Sequence, residues 1–256
     1  MKPEYSPAQL ENIRQRLNPS VKDVYYLVLA DLRLFLQRYA TAEPISVLDY
    51  GAGNSPYASL FPNAEYRRAD YMDCTAIDYK VDGDSRLPVA SNTFDLVWST
   101  QVAEHVQNPS TYFSEALRVL KPGGRLVVTT HGVWEDHGVP YDFQRWTAEG
   151  LQRDLELAGF SVKGTFKITT SGRFYWFLLL QWLEHGGLKK TNLSYRLWRR
   201  FCWEFAKFAR PIAHRFADWR WSDCQVIEGE ALSQHRIYSV IAAEAIKPLA
   251  TDQPAP

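Results

Sequence analysis

Ile45-Ser46-Val47-Leu48-Asp49-Tyr50-Gly51-Ala52-Gly53 is the stretch that decides how this chain folds. Pro44 breaks whatever precedes it, the run to Tyr50 is short and apolar, and two glycines close it. This is the pattern of a buried strand entering a tight strand-to-helix turn, where a backbone without Cβ atoms can come close to a ligand. Working outward, residues 7–17 and 20–40 read as helices, the second with Val24, Leu27, Val28, Leu32, Phe35 and Leu36 at helical spacing. Glu65–Asp70 and Ala76–Val81 read as strands, and Phe94-Asp95-Leu96-Val97-Trp98-Ser99 as a buried one. Asn108 as cap and Pro109 at the first helical position open a helix with a stripe of Phe113, Ala116, Leu117 and Leu120. Lys121-Pro122-Gly123-Gly124 stops it, and Arg125–Thr130 is the next strand. Thr147–Ala158 is a helix, and Phe160–Thr170 and His235–Ile246 are strand-like. Strands alternating with helices call for a parallel sheet covered on both faces, so the fold class is α/β.

The chain has 256 residues, which suits one elaborated domain or one domain with a sizeable insert. Hydrophobics at 46% and charges at 23% exclude wholesale disorder. Cys74, Cys202 and Cys224 form no C-x-x-C pair, and the first residues lead into no apolar signal segment. The expectation is a reduced, cytoplasmic setting, with neither disulfides nor a structural zinc site. The longest apolar stretch, Phe174–Leu183, is too short to span a bilayer.

Asp49-x-Gly51-x-Gly53 lies where an open α/β sheet places its ligand, beyond the carboxyl end of the first strand. Asp70, seventeen residues past Gly53, ends the next strand, and a carboxylate there can accept both hydroxyl hydrogens of a ribose. A dinucleotide fingerprint G-x-G-x-x-G fits badly, because glycine would be needed at Pro56. That disfavours a nicotinamide-dependent oxidoreductase and favours a ligand without phosphates.

Six segments in this order resemble the class I S-adenosylmethionine-dependent methyltransferases, in particular their type 11 small-molecule branch. They are Val47-Leu-Asp-Tyr-Gly-Ala-Gly-Asn54, Asp70, Asp84-Ser-Arg-Leu-Pro88, Phe94-Asp-Leu-Val97, Gln101-Val-Ala-Glu-His-Val106 and Leu117-Arg-Val-Leu-Lys-Pro-Gly-Gly124. The resemblance implies a Rossmann-like, seven-stranded, mostly parallel sheet with an antiparallel last strand, and S-adenosylmethionine as cofactor. By position it implies that Asp49, Gly51 and Gly53 line the methionine portion. Asp70 would hold the ribose, with Tyr71 near the adenine. Asp84, or Asp82 in its place, would receive the adenine amino group, and Gln101 would face the sulfonium. Ser55, where many relatives carry a third glycine, departs from the pattern, as do Tyr50 and Asn54 around the loop.

The loop His131–Trp146 follows a strand that ends on the ligand edge. A branch of the family carries a similar His-x-x-Pro-x-Asp-x-x-Arg loop, matched by His137, Pro140, Asp142 and Arg145. In one reading Asp142 and Arg145 form an ion pair that fixes the loop, with Tyr141 and Trp146 packing. In the other, His137 or His131 is a general base and Tyr141 shapes the acceptor pocket. For the Asp142–Arg145 pair the structural role is favoured. His105 is a weaker candidate, and no metal site is expected, because Glu104-His105 and Glu184-His185 are adjacent pairs and lack the i, i+4 spacing of helical ligands.

Net charge is zero, yet nine basic residues stand against two acidic ones between Lys189 and Arg220, which leaves a local charge of +7. On a helix from Ser194 to Arg210, Leu197, Trp198, Phe201, Cys202, Phe205 and Phe208 share one side, and Arg196, Arg199, Arg200, Lys207 and Arg210 the other. Pro211 ends or kinks it. This segment is an inserted lid that packs on the sheet edge, lies on an anionic membrane surface from the cytoplasmic side, or, least favoured, grips nucleic acid. The organisation that follows is an N-terminal helical extension (1–43), an α/β core (44–171), an aromatic and basic helical insert (172–228), a final core strand (229–247) and a disordered tail (248–256). The expected function is methyl transfer from S-adenosylmethionine to a small or lipid-linked acceptor, at oxygen more than nitrogen. Its rival is a catalytically inactive, methyltransferase-like binding protein that uses the basic helix as contact surface. Oligomeric state is not legible.

Overall fold

The computed structural model describes residues 5–73, 76–138, 141–185 and 193–249. Pro140, Lys189, Lys190, Cys74, the side chain of Arg199 and the tail from residue 250, all singled out in the sequence, lie outside the described residues.

Two helices open the chain, α1 (Pro7–Leu17) and α2 (Tyr26–Leu36). The parallel part of the sheet follows as β1 (Ser46–Tyr50), β2 (Glu65–Asp70), β3 (Tyr79–Lys80) and β4 (Phe94–Thr100). Then come α3 (Pro109–Val119), β5 (Leu120–His131), α4 (Ala148–Leu157) and β6 (Ser161–Thr170). A helical pair, α5 (Ser171–His185) and α6 (Leu193–Arg220), precedes β7 (Val226–Glu228) and β8 (Tyr238–Ile246). Strand order is β3-β2-β1-β4-β5-β8-β6-β7, with β8 antiparallel to β5 and β6 and β7 antiparallel to β6.

The strands are apolar on both faces because both faces are covered. Leu48, Val97, Leu126 and Ile241 point toward α3 and α4, whereas Val47, Leu96, Val127 and Ala242 point toward α2 and α5. Successive residues thus feed two separate cores through the period of two. Local signals set the helix starts. Asn108 Oδ1 accepts from Thr111 N–H with Pro109 at the first helical position, and Thr147 Oγ1 accepts from Gly150 N–H.

Three sequence expectations change. The sheet has eight strands where seven are expected, because the end of the 172–228 segment adds β7 to the edge beside β6. The helix expected over 20–40 starts later, at Tyr26, after a turn in which Ser20 N–H donates to Asp23. Pro211 does not end the helix of the insert: α6 runs on to Arg220, 28 residues or about 42 Å. Tertiary contacts compensate for the backbone hydrogen bond that proline cannot make. Arg210 donates to Lys22 O, Trp176 Nε1–H to Ala213 O, and Tyr26 O–H to Asp218, and Ala217 is fully buried.

A buried ion pair fastens this insert to the body. Arg173 on α5 and Asp31 on α2 are both fully buried, with Nε–Oδ2 at 2.7 Å and Nη2–Oδ1 at 2.9 Å. Asp218 on α6 lies 2.9 Å from the same guanidinium, and Thr169 and Gln225 donate to Asp31. Each charge is compensated by geometry that removal of one partner would destroy.

The aromatic side of α6 is not buried. Trp198, Phe201, Phe205, Phe208, Ile212 and Trp219, one stripe at helical spacing, are 60–80% exposed. The lid expectation would have turned that stripe inward.

Candidate active site

The carboxyl ends of β2, β1, β4 and β5 lie side by side and open into one cavity of about 650 Å³. On its β1–β2 side the turn after Tyr50 is held by Gly51 and Ala52 N–H groups, which both donate to Ala69 O, at 2.8 and 3.0 Å. Gly51 has φ +87°, and a Cβ there would stand 2.4 Å from Val102. Gly53, at φ +50°, faces open space, and its N–H donates to Asp70 Oδ2 at 2.8 Å. Met72 N–H donates to Asp70 Oδ1 at 2.7 Å. Both carboxylate oxygens are therefore fixed in direction and keep a lone pair each for a ligand. Tyr71 is half-exposed on the same wall.

Ser55 explains its own departure from the family. Its φ is +46°, the left-handed region in which glycine is the easy choice. The buried serine instead takes a hydrogen bond from Arg68 Nε at 3.1 Å.

Of the cofactor residues expected from sequence, Gly51, Gly53, Asp70, Tyr71 and Gln101 line the cavity. Gln101 also has φ +57°, and its Nε2 donates to Thr129 Oγ1 at 3.1 Å. Asp49 and Asp84 do not line it. Asp49 is buried beneath the turn, accepts from Tyr66 O–H at 2.7 Å, and is pushed up to about 6, chiefly by burial. Asp82, the alternative to Asp84, is on the wall, with Oδ1 accepting from Asp84 and Arg86 N–H groups.

On the β4–β5 side His105, His131, His137 and Tyr141 face the same cavity. His131 is stacked on Trp134, with centroids 4.7 Å apart, and Trp134 on Phe177 of α5 at 5.5 Å. Burial first, then the neighbouring His137 and Arg145, push His131 down to about 2, so its ring is neutral. Its Nδ1 is buried without a hydrogen-bond partner. His137 takes Asp142 through its backbone N–H at 2.9 Å, with Nδ1 3.4 Å from the same carboxylate. Arg145 grips Asp142 through both terminal nitrogens and holds that carboxyl well below the usual range. Tyr141 contributes its carbonyl, 2.6 Å from His105 Nδ1, while its ring stands exposed at the rim.

Sequence reasoning missed Glu104. It is fully buried, and its Oε2 accepts from Thr130 at 2.8 Å. Its Oε1 has no hydrogen-bond partner, yet lies 3.3 Å from His131 Nε2 and 3.9 Å from His105 Nε2. Burial raises its pKa. The ligand atoms of Glu104, His131 and His137 lie within 4.8 Å of one another, a donor set that suits a divalent cation as well as a proton. This qualifies the expectation of no metal. The spacing rule looks along one helix, whereas these residues meet across the ends of β4 and β5. The paired signal in sequence was Glu104-His105 within the family segment.

A family model described as a methyltransferase domain, type 11, matches residues 48–128, from β1 into β5. That segment, about a third of the chain, is similar to the type 11 methyltransferase domain. The family's cofactor is S-adenosylmethionine, and the site suits it: left-handed glycines at the turn, an oriented Asp70 and no phosphate-binding glycine at Pro56. Over 115 residues the chain is 38% identical to 2-methyl-6-phytyl-1,4-hydroquinone methyltransferase of Synechocystis, covering 39% of this chain and 35% of that one. Over 103 residues it is 41% identical to malonyl-[acyl-carrier protein] O-methyltransferase of Hahella chejuensis, covering 34% and 37%. The chain thus spans little more than a third of the length of these relatives. Among solved structures, the [4+2]-cyclase SpnF matches with TM-score 0.51 and 20% identity, over 88% of this chain and 83% of that one. A SAM-dependent methyltransferase from Archaeoglobus fulgidus matches with TM-score 0.51 and 15% identity, over 93% and 99%. These two likenesses establish the fold alone. Among the described residues no helix is long and apolar enough to cross a membrane.

Proposed function

We propose that this chain transfers a methyl group from S-adenosylmethionine to a small or lipid-linked acceptor, at oxygen rather than nitrogen. The observation that carries the proposal is a single cavity with Asp70 and the glycine turn on its β1–β2 side and a histidine cluster on its β4–β5 side. Bound cofactor supplies an activated methyl group. The chain's own task is to align an acceptor with it, and such positioning supplies about 7–11 kcal/mol of barrier reduction.

His137 receives the acceptor's hydroxyl proton. Asp142 approaches Nδ1, which leaves Nε2 for the substrate, and Arg145 keeps Asp142 ionised. His131, neutral and packed between Glu104 and Trp134, shapes the pocket and does not compete for the proton. A hydroxyl gains from this arrangement, and a carboxylate acceptor needs none of it. Both curated relatives above are named as methyltransferases, one of them an O-methyltransferase.

Calorimetric titration with S-adenosylmethionine, S-adenosylhomocysteine and NADH tests the cofactor. Saturable binding of the two adenosyl compounds alone is expected, followed by an acceptor screen. Binding of NADH overturns the reading, and no binding of any of the three promotes a non-enzymatic role.

A further inference from the structure

We infer that the α5–α6 pair is a docking surface for an anionic lipid bilayer, and that it sets the acceptor side of the cavity next to the membrane. The inference starts from a mismatch. Amphipathic helices normally turn their apolar stripe inward, but α6 turns alanines and two polar side chains toward the protein: Ala206, Arg210, His214 and Ala217 are buried, Ala209 and Ala213 partly so. The stripe led by Trp198, Phe201, Phe205 and Phe208 faces outward along the helix. On α5, Tyr175, Leu178, Leu179 and Trp182 are also 38–64% exposed. The two helices pack on each other and between them expose more large apolar side chains than scattered surface hydrophobics account for.

The charge pattern selects the occupant. Exposed Arg196, Arg200 and Lys207 border the stripe, with Lys207 Nζ 3.3 Å from the Trp203 ring, and Glu204 is the one acidic residue of α6 upstream of Asp218. Cations around a band of Trp, Phe and Leu match a helix lying in the head-group region, where anionic lipid meets the cations and acyl chains meet the rings. A protein partner or a second copy would bury the rings but would give no reason for the cationic border. Nucleic acid would use the cations and leave an aliphatic and aromatic stripe in water.

The surface also adjoins the site. Phe177, which stacks on Trp134 and through it on His131, precedes the exposed Leu178 and Leu179 on α5. An acceptor with a polar head and an acyl or prenyl body would keep its body in the bilayer while its head reaches His137. This last step rests on the methyltransferase reading, whereas the docking itself does not.

The test is co-sedimentation of the full chain with phosphatidylcholine vesicles, with and without phosphatidylglycerol, in the absence of cofactor and acceptor. Strong binding to the mixed vesicles, weakened by salt, is expected. The double change Phe201→Glu with Phe208→Glu should reduce it by at least about tenfold, and Arg200→Glu with Lys207→Glu should remove the preference for anionic lipid. Thermal midpoint and S-adenosylmethionine affinity of both variants should stay as in the wild type, which separates loss of docking from loss of fold. Absence of vesicle binding overturns the inference, whatever the cofactor titration gives. A concentration-dependent dimer that protects the stripe, or tight binding of single-stranded RNA with no vesicle binding, overturns it in favour of those occupants.

Discussion

The β1–β2 side of the cavity is walled by a glycine turn and the Asp70 carboxylate that the turn orients, which lie close together in the chain, from Gly51 to Asp70. The β4–β5 side is walled by side chains from two separate segments, His105 and His131–Tyr141, with Glu104 buried behind them. The first side is a turn whose geometry follows from local φ values. The second depends on how two strand ends and a loop are packed. One cavity thus has one wall built locally and one built by long-range packing.

The largest expected effect tests the β4–β5 wall. His137→Ala should lower turnover about 10²–10⁴-fold with little change in cofactor affinity, and a wild-type rate would remove His137 as the base. A chelator sharpens the same point. If the rate survives it, the cluster moves a proton; if the rate is lost and a divalent cation restores it, Glu104, His131 and His137 hold an ion instead.

Beneath the β1–β2 turn, Asp49 gives the next effect. Its folded pKa of about 6 stands above the ordinary carboxylate value, so the folded protein binds the proton more tightly than the unfolded chain. The stabilisation this brings is full at low pH and is lost as pH rises through about 6. Wild type minus Asp49→Asn should therefore fall by up to about 3 kcal/mol between pH 4 and pH 7 in chemical denaturation. A difference independent of pH would show that Asp49 is ionised throughout.

Asp70→Ala should weaken S-adenosylmethionine about 10- to 100-fold, because a charged hydrogen-bond acceptor is lost. An unchanged dissociation constant would sink the ribose assignment. Smallest, Ser55→Gly should change stability by no more than about 1 kcal/mol, since relief of the left-handed backbone offsets the lost bond to Arg68. A large loss would mean that Arg68 governs the turn.

The same contrast explains what could be read beforehand. Gly51, Gly53 and Asp70 were legible because a turn and a strand end are local events, as were the caps at Asn108 and Thr147. Glu104 was not, because a carboxylate one residue from a histidine looks like a helix start until β5 brings His131 to 3.3 Å. Pro211 works in the opposite direction: the local rule ends or kinks the helix there, and contacts from Lys22, Tyr26 and Trp176 carry it on. Amphipathicity of α6 was plain, but a pattern of spacing does not say which face meets the protein. Of Asp84 and its alternative Asp82, the one on the cavity wall is Asp82, two residues earlier in an irregular turn where register has no periodicity to fix it.

The ion pair of Arg173 with Asp31 decides how far this molecule can be taken apart. A segment that looks like an accessory supplies a fully buried guanidinium hydrogen-bonded to a fully buried carboxylate of the core. Excising 172–228 to obtain a minimal domain would remove that cation and leave Asp31 to be neutralised or solvated inside α2. The segment is therefore not separable as it stands, and any attempt to trim or graft the hairpin must change both ends of that pair together.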